Sequence, residues 1–256
     1  MRLDIITLFP EFFDSANNIG VVGRSYKNKI WDLYTWNPRN FTSDKRKNID
    51  DRPYGGGPGM LMKVEPLENT VNHIHEERKL SNLSKAPVIL LTPVGKLFTQ
   101  NLAVKLAKSD GFILVCGRYE GVDKRFIDRC VTLEMSIGDF IISGGEIAAL
   151  AVIDSIVRLL PGTLNNNKSA TNESFSDEFS GLLEPYSYTR PENYCGDTVP
   201  KVLLSGNHAN IDKWKREQSL EITCKRRPDL IKQAIKDGCL SQDDEHLISS
   251  IIPDAH

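Results

Sequence analysis

Cysteine is scarce and scattered in this chain. The five residues, Cys116, Cys130, Cys195, Cys224 and Cys239, are odd in number, and no two lie within four residues of each other. That spacing argues against a disulfide framework and against a zinc site, whose ligands come in close pairs. Long hydrophobic runs are also missing. Crossing a bilayer takes roughly 20 apolar residues, and the longest candidate, Ile147 to Leu160, carries Asp154 and Arg158. The start, Met1-Arg2-Leu3-Asp4, lacks the basic-then-apolar layout of a signal peptide. A soluble, cytoplasmic protein with no membrane partner is therefore expected. Net charge is nearly absent too: 32 Lys and Arg stand against 34 Asp and Glu, a formal charge of -2. Taken alone, that balance points away from a nucleic-acid partner, which usually demands a basic surplus.

What remains is ordinary globular material. The chain has 256 residues, 40% hydrophobic and 26% charged, enough for a substantial core in one or two domains. Short apolar runs at Leu3 to Phe9, Val88 to Leu91 and Phe112 to Val115, with an alternating run at Ile30 to Trp36, read as strands. Helical spacing follows at Phe98 to Lys108 and Asp123 to Arg129, and most clearly at Glu146 to Leu160. That last segment starts after Gly144-Gly145 and stops at Pro161-Gly162. Strands alternating with helices predict an α/β fold on a parallel sheet. The first domain is placed at 1–161. From Thr163 to about Ser180 the composition turns polar, so 162–187 reads as a linker or mobile loop. Residues 188–256 read as a small helical domain, with helices at Ile211 to Thr223, Asp229 to Asp237 and Gln242 to Ile251.

Several segments could carry chemistry. Asp50-Asp51-Arg52-Pro53-Tyr54-Gly55-Gly56-Gly57-Pro58-Gly59 holds four glycines in five positions, which suits close backbone approach to a ligand. It is not a P-loop, since no Gly-Lys-Ser/Thr follows. Cys116-Gly117-Arg118-Tyr119-Glu120-Gly121 follows an apolar strand, at the carboxyl end where α/β sheets bind ligands. Ser136 to Glu146 places paired glycines ahead of a helix, a setting for phosphate, adenosine or amino-acid groups. Glu173, Glu184 and Arg190 lie in or after the polar stretch. Lys45-Arg46-Lys47, Lys213-Trp214-Lys215-Arg216 and Lys225-Arg226-Arg227 are basic clusters able to touch phosphates. They turn the charge argument round: near-neutrality with clustered cations predicts local phosphate-contacting patches rather than none.

Together these strings, with Leu8-Phe9-Pro10, Tyr188-Thr189-Arg190-Pro191 and Val202-Leu203-Leu204-Ser205-Gly206-Asn207-His208, run in order through nearly the whole chain. The sequence resembles the bacterial tRNA (guanine-N1)-methyltransferase family, TrmD, of the SPOUT superfamily. Those enzymes methylate the guanine just 3′ of the anticodon. The resemblance implies a parallel-sheet domain with a deep trefoil knot, which generic topology rules disfavour. It also implies a homodimer with the active site at the subunit interface, and tRNA as partner.

Carried over by motif, the S-adenosylmethionine site comprises Leu90, Leu91, Thr92 and Pro93 on one loop and Gly117 and Glu120 on a second. Ile137, Gly138, Asp139, Phe140, Ile141, Ile142, Gly144 and Gly145 form the third. Glu120 also resembles the family residue linked to magnesium, so Mg²⁺ is an implied cofactor. Asp50, Arg52, Tyr54, Gly55, Gly56, Gly57, Pro58 and Gly59 resemble the loop that receives a flipped guanine. Glu184, Arg190, Ser205, Asn207 and His208 complete the implied RNA contacts. Guanine N1 carries a proton, so a base must remove it, and a cation near O6 then lowers the barrier. By resemblance these are Glu173 and Arg158. The family typically carries Asp where this chain has Glu173, and Asp177 is the alternative base. A catalytically altered, knotted RNA-binding protein is the competing reading.

Overall fold

A computed structural model describes residues 1–164 and 173–251. The chain divides into two units, Met1–Asn167 and Lys168–His256. The first is built on a five-stranded sheet with order β2-β1-β6-β5-β7: β1 Arg2–Ile6, β2 Asp32–Trp36, β5 Val88–Leu97, β6 Gly111–Cys116 and β7 Leu133–Ser136. Every neighbouring pair is parallel.

Alternation along the strands sorts the core into two layers, because successive side chains point to opposite faces. Leu3, Ile5, Ile89, Leu91, Phe112, Leu114 and Cys116 face one way. They pack beneath α6 (Gly145–Val157), whose Ala149, Val152, Ile153 and Ile156 are fully buried. Ile6, Val88, Leu90, Ile113 and Val115 face the other way, against α3 (Val64–Leu80) and α5 (Lys124–Cys130). Continuous apolar strands are what a sheet covered on both faces requires.

The long helix α3 has no counterpart among the sequence expectations. Its polar composition hides a narrow stripe, Leu67, Val71, Ile74 and Arg78, at helical spacing. Arg78 is fully buried and reaches Asp4 at 3.0 Å. Asp4, the acid inside the first apolar run, also accepts from Arg2 and, at 3.0 Å, from the Trp36 indole. A buried carboxylate so surrounded is satisfied rather than misplaced.

The strand expected to stop at Thr92-Pro93 instead continues to Leu97. Leu91 and Lys96 both pair with Met135, so Thr92 to Gly95 bulge out of the ladder. The bulge lets a proline sit within the strand without breaking a ladder bond.

The second unit contains helices at Lys201–Leu204, His208–Arg226, Pro228–Lys236 and Gln242–Ile251. Its core is Leu182, Leu220, Cys224, Ile231, Ala234 and Ile248. Part of the segment read as linker, 165–172, lies outside the described residues. Within 173–183, Leu182 is fully buried in this core, and Leu183 N–H donates to the Thr223 hydroxyl at 3.0 Å.

Candidate cofactor and active site

The β5 bulge and the loops that follow β6 and β7 meet around one cavity of about 430 Å³. The β5 bulge supplies Thr92, Pro93 and Val94, and the ladder residues Leu90 and Leu91 precede them. Gly95 makes the bulge possible: a Cβ there would lie 2.2 Å from the Met135 nitrogen. The loop after β6 supplies Gly117, Arg118, Tyr119 and Glu120. The loop after β7 supplies Ile137, Gly138, Phe140, Ile141 and Ile142, and Gly144 and Gly145 close the wall. Of the residues assigned to the cofactor by resemblance, Asp139 alone is absent from the lining; its side chain is exposed.

The two glycines ahead of α6 have separate reasons. A Cβ on Gly145 would sit 2.6 Å from the Cys116 Cα, a backbone atom that cannot give way. A Cβ on Gly144 would sit 2.2 Å from Arg118 Nε. The loops are also tied directly. Gly145 N–H donates to Gly117 O at 3.0 Å, and Arg118 Nη1 donates to Ser143 O at 3.2 Å. Beneath them Cys116 is fully buried, and burial, aided by the Glu146 carboxyl, pushes its thiol well up. That makes it packing material rather than a nucleophile.

The glycine-rich loop is the tip of a hairpin, with β3 Asp50–Asp51 antiparallel to β4 Leu61–Met62. Gly55, Gly56 and Gly57 all have positive φ and open space around them, and Tyr54 is fully exposed. Gly59 abuts Glu120, whose Cγ would lie 2.3 Å from an added Cβ, and Glu120 N–H donates to Met60 O. The hairpin tip and the cavity thus adjoin through Glu120. Asp50 sits half-buried at its base and contacts the Tyr119 hydroxyl; burial and then this carboxylate raise that phenol. Arg52 and Pro58 complete the tip, Arg52 exposed.

Arg158 stands at the other end of α6, its N–H bonded to Asp154 O at 3.2 Å. The 13 residues of α6 put it roughly 20 Å along the helix from Gly145. Glu173, Asp177, Glu184, Arg190, Ser205, Asn207 and His208 belong to the second unit. Glu173 is half-buried, and its carbonyl accepts from Ser176 N–H; Asp177 is exposed. Glu184 is exposed and its N–H donates to Ser174 Oγ. Asn207 caps the helix that begins at His208, its Oδ1 accepting from Asn210 N–H, while Ser205 Oγ accepts from Asn207 N–H. Arg190, Ser205 and His208 are exposed.

The basic clusters divide. Arg216 pairs with Asp244 at 2.9 Å, Lys225 with Glu221 and Arg227 with Asp229, so these cations have internal partners. Lys45-Arg46-Lys47 is instead an exposed turn held by Asp44, whose carboxylate accepts from Arg46 and Asn48 N–H. Sequence reading alone left Thr7, Val94 and Met135 unnoticed; only the fold brings them to the cavity or beneath it.

A profile of the family described as "tRNA (Guanine-1)-methyltransferase TrmD" matches residues 1–233. The chain belongs to this family. A Bordetella pertussis protein named tRNA (guanine-N(1)-)-methyltransferase is 53% identical over 251 residues, covering 98% of each chain. Relatives of the same name from Janthinobacterium, 47% identical over 98% of this chain and 100% of theirs, and Burkholderia ambifaria, 45% identical over 100% and 96%, match end to end.

Proposed function

We propose that this TrmD-family protein transfers a methyl group from S-adenosylmethionine to N1 of the guanine 3′ of the anticodon in tRNA. The observation that carries the reading is the convergence of three segments on one largely apolar cavity, in a chain whose full-length relatives are named tRNA (guanine-N(1)-)-methyltransferase. No observation favours the non-catalytic alternative.

The residues present fit the cofactor. The cavity is of ligand size, its wall is cut close to the backbone at Gly144 and Gly145, and its apolar side, from Leu90, Leu91 and Ile137, suits an adenine face. S-adenosylmethionine, when bound, supplies an electrophilic methyl sulfonium. The chain's own work is to hold that group, admit the guanine and move one proton. Glu173 takes the N1 proton, Asp177 being the alternative, and Arg158 offsets the charge that spreads to O6. The hairpin tip at Tyr54 to Gly59 receives the extruded base, offsetting an unstacking cost of a few kcal/mol. Glu184, Arg190, Ser205, Asn207 and His208 contact the tRNA.

Magnesium fits only loosely. Among the described residues no group of three or more His, Cys, Asp or Glu side chains could cage a metal. Glu120 by itself would suit an ion that keeps most of its ligands from water and substrate.

The knot of the superfamily and the homodimer belong to the same reading. Val94, Leu97, Phe140, Ile141 and Ile147 are large, apolar and exposed, a surface a second copy would cover. The length of α6 between Gly145 and Arg158 is consistent with a cavity completed by the arginine of another copy. No helix of the described residues is long and apolar enough to cross a membrane, which fits a cytoplasmic enzyme.

The test is methyl transfer to tRNA transcripts with guanine or adenine after the anticodon. Transfer to guanine only is expected, with Glu173→Ala and Arg158→Ala each slowing the chemical step about a hundredfold or more. Full activity in Glu173→Ala would move the base to Asp177.

A further inference from the structure

Glu146 is a fully buried carboxyl that the proposed chemistry does not use. It sits one residue inside α6, behind the cavity wall, and closes a ring with three other residues. Glu146 Oε1 accepts from the Thr7 hydroxyl at 2.8 Å. The Thr7 oxygen in turn accepts from Phe9 N–H at 3.0 Å, which sets the turn of Leu8-Phe9-Pro10. The Phe9 ring lies under the Arg118 guanidinium, 4.5 Å from the ring centre. Arg118 completes the ring by an ion pair with Glu146 Oε2 at 2.8 Å, its side chain only 17% exposed.

This ring ties together three pieces distant in sequence: the segment after β1, the second cavity loop and the start of α6. Arg118 adds a fourth through its bond to Ser143 O, at the end of the third loop. A surface ion pair would contribute little. Here removal of either charge leaves the other uncompensated out of water, so the arrangement is held strongly in one geometry.

We infer that Glu146 is a positioning residue for the cofactor: with Thr7 and Phe9 it locks Arg118, and so fixes the spacing of the second and third cavity loops. Its carboxyl never meets the guanine. The inference rests on the cavity being the S-adenosylmethionine site.

The experiment is calorimetry with S-adenosylmethionine on full-length wild type, Glu146→Gln and Thr7→Val, alongside single-turnover methyl transfer and tRNA binding. Glu146→Gln keeps the side chain's shape and removes the charge. It is expected to weaken cofactor binding about tenfold or more. The rate at saturating cofactor and the affinity for tRNA should stay within about threefold of wild type, a split that general loosening of the fold would not produce. Thr7→Val should weaken cofactor binding in the same direction by less, and it carries the test should Glu146→Gln fail to fold. Wild-type cofactor affinity in either variant, once folded, overturns the latch alone. So does an equal fall in the saturated rate and in kcat/KM, which would make Glu146 part of the chemistry. A wild type that binds no S-adenosylmethionine overturns the cofactor reading and the latch with it.

Discussion

Gly145 and Asp4 show how single positions are constrained for unlike reasons. Gly145 is held by space: its Cα passes so near Cys116 that a methyl group would meet backbone at 2.6 Å. Gly145→Ala should therefore cost about 1–3 kcal/mol by overpacking and reduce cofactor affinity, read by thermal melting and calorimetry. Asp4 is held by charge. It is fully buried among Arg2, Arg78 and the Trp36 indole. Asp4→Ala would strand two guanidinium groups beneath the sheet, so urea unfolding should show a loss of about 3–5 kcal/mol. The acid at position 4 was visible in the sequence, and its three partners were not. Arg78 lies 74 residues away on a helix whose apolar stripe is too narrow to announce itself.

At the scale of elements, the basic cluster on His208–Arg226 illustrates a divided role. Arg216 reads in sequence as one more phosphate contact. In the structure it bonds Asp244 through Nε and Nη2, at 3.0 and 2.9 Å. Asp244 also accepts from Ser241 N–H, and its own N–H donates to Ser241 Oγ, a capping box that starts Gln242–Ile251. Burial pushes the Asp244 carboxyl up, but Arg216 and the Ser241 N–H outweigh it and hold the group below its usual value. A depressed folded value means a contribution present above the unfolded pKa, near 3.9, and lost as pH falls through the folded one. Asp244→Asn should thus destabilise the second unit at pH 7 by about 1–3 kcal/mol. The gap to wild type should close below about pH 4 in denaturation measured across pH. A gap unchanged at pH 3 would show that Asp244 acts by packing rather than by charge.

At the scale of the whole molecule the proposed homodimer poses a question: which copy would supply which group. A thirteen-residue helix separates the cavity wall from Arg158. Mixing Arg158→Ala with a variant that cannot bind cofactor, such as Gly145→Leu, then tests a shared site. In randomly reassorted dimers about one quarter of wild-type methyl transfer should return, because half the dimers are mixed and each has one complete site. Activity no higher than the sum of the separate variants would place both groups in one chain.

The sequence by itself determined the α/β character, four of the five strands of the central sheet (all but β7) and the loops that carry glycine, because apolar period and backbone freedom are local properties. It also carried the family resemblance, and with it every residue assigned to cofactor, guanine and tRNA. Tertiary structure alone decided that β5 runs on through Pro93, since a bulge can be recognised only against the partner strand β7. It alone decided that Arg216 is committed to Asp244, and that Thr7, Phe9, Arg118 and Glu146 form one ring. Those contacts join residues up to 139 positions apart, and nothing in local spacing encodes them. The near-zero net charge belongs with these: a sum over the chain says nothing of which cations are paired internally and which, like Lys45 to Lys47, stand exposed on a turn.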